Sequence, residues 1–237
     1  VMRLINNPAS TTEQLEQLLC QDPSMVIKLL QVVKSPAFAA TGRTGKWSLG
    51  EIIVRLGLRK VGALAVQIRM INSFVPASES AFEMRRFWEH SVGTAMVADR
   101  LYTRGLLTLH APLEFNDYWV AALLHDVGKL VMGCFFPVWY DKLAAQARED
   151  GCSLVEVEAR LGGDLQHAHI GQVLLLHRDM GAPLAEAVAS HHQPAQAPKS
   201  LASLLHVANN LCKGLGKACL PGEEPAYNDA ILQRVGQ

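Results

Sequence analysis

The sequence predicts an all-α protein, an N-terminal helical lobe followed by a second helical bundle. Three observations carry the class. Segments that fit the S/T-x-x-E capping box recur at Ser10 to Glu13, Ser48 to Glu51 and Ser153 to Glu156. In that motif the hydroxyl and the carboxylate each satisfy a free backbone N–H at a helix start. Apolar residues repeat at i, i+3, i+4, the mark of one buried helical face, and strand-like alternation is nowhere sustained. With 237 residues and 49% hydrophobic content, the chain can bury a sizeable core.

Residues 1–77 form the first lobe. The chain opens at Val1 already inside a helix, which suggests an excised domain with a helix or a partner domain upstream. Leu15, Leu18 and Leu19 follow the first capping box with helical spacing, and Met25, Leu29, Leu30 and Val33 resume it after Pro23. The small, polar stretch Val75 to Ala81 marks the lobe boundary. In the second lobe, residues 78–213, a long helix spans about 82–104, with a loop near His110. Asn116 is placed to cap the helix that carries AALLHDVGKLVM. Further helices are expected over about 136–150, 154–161, 165–178, 183–191 and 200–212. Residues 214–237, with Pro221, Gly222 and Pro225, read as a loosely attached tail.

Composition excludes several classes. Net charge is zero, so nothing overall favours nucleic acid or an anionic membrane. The charge is unevenly spread, +5 over residues 1–77 and −5 over the remainder, which fits lobes that dock on each other. Five cysteines without a C-x-x-C pair argue against a disulfide framework and a cysteine-type zinc site, and point to a reducing, cytoplasmic setting. No apolar run is long enough to span a bilayer.

The chemistry centres on AALLHDVGKLVM. His125 and Asp126 interrupt an apolar helix, where a carboxylate is costly unless paired or bound to metal, and where imidazole is the commonest metal ligand. Lys129, one turn on, can pair with Asp126 or meet a substrate phosphate. By itself the doublet leaves two readings open, a metal site or a buried Asp126–Lys129 ion pair with a packed histidine. His90 stands in a second buried-looking helix, His167 and His169 open another, and His191 with His192 closes a third. His169 is expected at the surface, His110 and His177 in solvent, and His206 packed within its helix. Trp47, Trp88, Trp119 and Trp139 are too dispersed for a stacking platform and read as packing residues.

The order His90, His125-Asp126 with Lys129, His167, His191-His192 and then Asn209 resembles the HD superfamily of metal-dependent phosphohydrolases. Within it the closer resemblance is to the HDOD domain, through LLCQDPSMVIKLLQVVKSPAF, IIVRLGLRKVGALAV, RRFWEHSVGTAMVA, AALLHDVGKLVM, HAHIGQVLL, VASHHQP and LLHVANNL. The resemblance implies that His90, His125 and Asp126 are core metal ligands. It also implies that His167, His191 and His192 are the extra ligands of the two-metal subfamily that includes the HD-GYP cyclic-di-nucleotide phosphodiesterases. Asp126 and Lys129 are then the catalytic candidates, Lys129 as a phosphate contact. Asn209 stands where active enzymes carry an aspartate, no Gly-Tyr-Pro segment follows the His pair, and Lys34-Ser35 replaces the usual Asn-Ser. An amide oxygen is a neutral, weaker donor than a carboxylate. The donor set suits iron, manganese, zinc or nickel better than magnesium, as one or two ions, with a metal-free scaffold as the alternative. The expected role is a bacterial signal-transduction module with little or no hydrolase activity, acting through a signalling protein or a fused upstream domain. The alternative is an active phosphohydrolase or phosphodiesterase on a nucleotide or cyclic dinucleotide. A nucleic-acid role through the basic first lobe is the least favoured reading, and no membrane partner is expected.

Overall fold

The computed structural model describes residues 1–5, 7–22, 25–26, 29, 48–72, 80–113, 115–178, 180–194 and 200–227. Among them all regular structure is helical. The chain divides into two compact units, Val1–Ser73 and Phe74–Gln237.

The first unit contains α1 (Met2–Ile5), α2 (Thr12–Leu19), α3 (Leu49–Leu56) and α4 (Leu58–Asn72). The capping box of α2 lies one residue beyond its expected place. Thr11, not Ser10, receives the Gln14 N–H, and the Gln14 side chain accepts from the Thr11 backbone. Glu13 falls instead in the first turn, where its charge favours the helix dipole. The Ser48–Glu51 box forms as expected, and Gly57, at φ +88°, turns the chain from α3 into α4. Leu15, Leu19, Ile52, Ile53, Val61, Leu64 and Ile68 are buried and form the core of this unit. The helix expected from Met25 to Val33, the Lys34-Ser35 pair, Trp47 and most of the Val75 to Ala81 stretch lie outside the described residues, although Met25 and Leu29 are buried.

The second unit runs α5 (Met84–Thr103), α6 (Phe115–Leu124), α7 (Val127–Phe135), α8 (Pro137–Asp150), α9 (Leu154–Val157), a π-helical turn (Glu158–Gly162), α10 (His167–His177), α11 (Ala182–Ser190) and α12 (Leu201–Gly214). Pro137 opens α8 at a position where no backbone N–H is needed, and Gly151, in the left-handed region, ends it. The Ser153–Glu156 box starts α9 as expected. Helix α5 packs against α6 and α12, while α10 packs against α7 and α11. The core, with Phe87, Trp119, Leu130, Tyr140, Leu143 and Val188, surrounds the place where these helices converge.

Two expectations are corrected here. The helix carrying AALLHDVGKLVM is broken: α6 starts at Phe115, with Asn116 inside it, and ends at Leu124, and α7 restarts at Val127. Residues 214–227 are not a loose tail. Ala218, Cys219 and Leu220 are buried, the Ala226 N–H donates to the Asn210 side chain at 2.8 Å, and Lys213 pairs with Glu223 at 2.7 Å out of solvent. The pair and the apolar residues at 218–220 anchor a segment whose Pro and Gly content suggested mobility.

Helices α7 and α10 meet at a glycine. A Cβ on Gly128 would lie 1.9 Å from the His167 carbonyl oxygen, so the two backbones approach more closely than any side chain allows. Gly128→Ala is therefore expected to push α7 off α10, at a cost of at least about 1–3 kcal/mol. A denaturant midpoint unchanged from wild type would contradict that contact.

Candidate metal centre

His125 and Asp126 occupy the break between α6 and α7, with Asp126 at φ −102° and ψ 15°. Within a continuous helix, consecutive side chains diverge by about 100°. The break removes that constraint, so His125 Nε2 and Asp126 Oδ2 lie 3.4 Å apart. The same device operates at the other pair: α11 ends at Ser190, and the rings of His191 and His192 come to 3.9 Å between centroids.

Four histidines are oriented by acceptors behind them. Nδ1 of His90 donates to the Lys217 carbonyl at 2.6 Å, Nδ1 of His125 to Ala122 at 2.8 Å, and Nδ1 of His191 to Val188 at 2.6 Å. Nδ1 of His167 donates to the Glu158 carboxylate at 2.6 Å. A carbonyl only accepts, so each Nδ1 carries the hydrogen and each Nε2 lone pair points inward. These lone pairs converge on Asp126. Oδ2 lies 3.3 Å from His90 Nε2, and His90 and His125 Nε2 are 3.2 Å apart. Oδ1 lies 3.3 Å from His167 Nε2 and 3.6 Å from His191 Nε2, and His192 Nε2 stands 2.9 Å from that of His167.

The side chains thus form two groups with a shared carboxylate, His90, His125 and Asp126 on one side, and Asp126, His167, His191 and His192 on the other. His90, His125, Asp126, His167 and His191 are wholly buried. Asp126 Oδ1 and His191 Nε2 are buried without a hydrogen-bond partner among the described residues. Unsatisfied acceptors facing one another out of water are unfavourable unless a cation lies between them. The residues present therefore fit a divalent transition metal.

Electrostatics favour ligation at His125 and His191. Burial pushes the His191 imidazole down to about 3 and lowers that of His125, so both rings are neutral donors near neutral pH. Burial would raise the Asp126 carboxyl, but His125 and Lys129 hold it well below the usual carboxylate range. Burial would likewise lower Lys129, yet Asp126 and Glu223 keep it well above its ordinary value. Burial opposes a proton on His167, and the Glu158 carboxylate outweighs it and raises that imidazole.

Lys129 is completely buried and donates to Asp126 Oδ2 at 2.8 Å. The ion pair of the second reading exists, and it lies inside a histidine cluster that could hold a metal. Asn209, on α12, is 1% exposed, and neither its Oδ1 nor its Nδ2 has a hydrogen-bond partner among the described residues. His206 is buried behind the cluster, its Nδ1 bonded to the His191 carbonyl at 3.0 Å. His110, His169 and His177 are exposed, as expected.

Sequence reasoning missed Glu158, Cys219 and the Lys217 carbonyl. Glu158 had a signal, since with Leu154 and Val157 it completes an i, i+3, i+4 face that is buried throughout. Cys219 Sγ lies 3.5 Å from Asp126 Oδ2; both it and the Lys217 carbonyl belong to the stretch read as tail, where no local pattern points to the site. Glu158→Gln removes the charge that orients His167, and metal affinity is expected to fall about 10- to 100-fold. A competition titration with a chromophoric chelator measures this, and an unchanged affinity would remove Glu158 from the site.

An all-helical bundle enclosing a buried His/Asp cluster is the arrangement that the resemblance to the HDOD domain implies. The HDOD domain family model matches residues 1–194, and the chain belongs to that family. An uncharacterized protein of Treponema pallidum (strain Nichols) is 25% identical over 209 residues, 86% of this chain, and the chain spans 38% of that relative's length. The fold is shared with an HDOD domain protein of unknown function from Geobacter sulfurreducens (TM-score 0.72, 20% identity, 98% of this chain and 79% of that one). It is also shared with a protein from Shewanella amazonensis SB2B provisionally named a phosphohydrolase (TM-score 0.66, 22% identity, 91% and 74%). A third, from Marinobacter aquaeolei VT8 and provisionally named a signal transduction protein, matches with a TM-score of 0.70, 24% identity, and 99% and 51% coverage.

Proposed function

We propose that this HDOD domain is a regulatory module of bacterial signal transduction whose HD-type pocket holds a divalent transition metal and turns over phosphoesters little or not at all. The observation that carries the reading is Lys129. The residue placed to meet a phosphate is 0% exposed and bonded to Asp126, so its charge already has a partner. Asn209 adds to this, because an amide in place of a carboxylate weakens the activation of bound water. On this reading the metal is structural and holds α7, α10 and α11 in one arrangement that a signalling protein or a fused upstream domain recognises, in the cytoplasm. The name of the Marinobacter protein is compatible with it.

One observation favours the second reading, a phosphohydrolase or phosphodiesterase acting on a nucleotide or cyclic dinucleotide. A single carboxylate between two imidazole groups is the arrangement that two-ion hydrolases use, and the Shewanella protein carries a phosphohydrolase name. A panel of phosphomonoesters, nucleotides and cyclic dinucleotides with Mn²⁺ or Fe²⁺ decides between them. The expected result is no turnover above that of His125→Ala. Robust hydrolysis that His125→Ala abolishes would overturn the regulatory reading.

A further inference from the structure

The two groups that share Asp126 are not equivalent. Around Oδ2 the Lys129 ammonium stands at 2.8 Å, the Cys219 thiol at 3.5 Å, and the His90 and His125 nitrogens at 3.3 and 3.4 Å. Oδ2 is satisfied by the Lys129 ammonium and the Cys219 thiol, the first of them cationic, while the two nitrogens present lone pairs to it. Around Oδ1 stand the His167 and His191 Nε2 atoms at 3.3 and 3.6 Å, with no hydrogen bond to it among the described residues, and His191 Nε2 is also unsatisfied there. Donor spacing does not separate the groups: a tetrahedral ion with bonds of about 2.0–2.2 Å has donor–donor edges of about 3.3–3.6 Å, and the distances of 3.2–3.4 Å in one group and of 2.9, 3.3 and 3.6 Å in the other lie near that range. What separates them is the state of the donors.

We propose that this chain holds a single ion, bound by His167, His191, His192 and Asp126 Oδ1, and that the Lys129 ammonium stands in for a second ion beside Oδ2. The inference rests on the metal-binding part of the function proposed above and deepens it. Three imidazoles and a carboxylate make a set that suits zinc or another borderline transition metal. Glu158 behind His167 supplies a further carboxylate on the same side. The other group offers two imidazoles and an oxygen already bonded to an ammonium. A divalent ion there would share Oδ2 with a fixed positive charge in a site shielded from water, where like charges repel strongly. By resemblance His90, His125 and Asp126 would be the principal ligands; here the accessory set becomes the resident one.

Metal analysis and Mn²⁺ or Zn²⁺ titration of the full chain, purified without chelator, test this without any assay of activity. The wild type is expected to hold one equivalent. His192→Ala, at the least buried ligand, should weaken binding at least about 100-fold, His90→Ala should leave it nearly unchanged, and Lys129→Met should admit a second equivalent. Circular dichroism checks that each variant folds, and the wild-type stoichiometry decides even where one does not. Two equivalents of similar affinity in the wild type, or loss of the ion in His90→Ala but not in His192→Ala, would overturn the proposal. A protein that binds no metal would overturn it together with the metal-holding role. Hydrolysis by a protein with one ion in the His167 group would overturn the regulatory reading alone.

Discussion

Asp126→Asn is expected to abolish metal binding and also to destabilise the second unit by about 3–5 kcal/mol, because it leaves the Lys129 ammonium buried without its countercharge. Domains of this size are stable by only about 5–15 kcal/mol, so the loss is a large fraction of the total. The two effects separate in a double variant. Asp126→Asn combined with Lys129→Met removes both charges, and replacing a buried pair by neutral groups of similar volume is often neutral or stabilising. Stability should therefore return while metal binding does not. Denaturant unfolding with metal analysis on the two single variants and the double variant gives the answer. An Asp126→Asn protein that unfolds at the wild-type midpoint would show that Lys129 finds another partner and that the pair is not structural.

Glu223→Gln is expected to have a comparable effect on stability, from outside the metal ligands. Lys213 and Glu223 are 2.7 Å apart with about 2% of each side chain exposed, and the glutamine leaves a buried ammonium unpaired, at a cost of about 3–5 kcal/mol. Burial would raise the Glu223 carboxyl, but Lys129 and Lys213 hold it down at about 2, below its ordinary 4.5. A carboxyl depressed on folding stabilises fully above its unfolded pKa, and the contribution is lost as pH falls through the interval toward the folded value. The wild type should thus exceed Glu223→Gln by its full margin at about pH 6, and the margin should shrink steadily below about pH 4.5. A margin independent of pH over that range would mean that packing, not the ion pair, anchors the 214–227 segment. Among the described residues no single helix is long and apolar enough to cross a membrane.

Much of the fold was legible because helix signals are local. The Ser48 and Ser153 boxes, Pro137 and the apolar stripes of α2, α3 and α5 each act within a few residues. The shift from Ser10 to Thr11 shows the limit: two adjacent hydroxyls compete for the cap, and Gln14 returns the bond as well as Glu13 would. The site residues were legible for a different reason. A histidine or carboxylate inside an apolar helix is conspicuous, since burial without a partner is costly, and the succession of such residues resembled one family.

What the sequence determined by itself is therefore the all-α class, the place of most helices and the identity of the candidate ligands. Only the tertiary structure decided how those ligands act. It broke the helix at His125-Asp126, so that neighbours which would splay apart meet at one point. It brought Glu158 behind His167, bonded Lys129 to Asp126, and folded residues 214–227 onto the cluster through the Lys217 carbonyl and Cys219. The physical reason is range. Capping and periodicity are settled between residues a turn apart, whereas the partner of a buried charge is set by which distant segments the packed helices bring within about 3 Å.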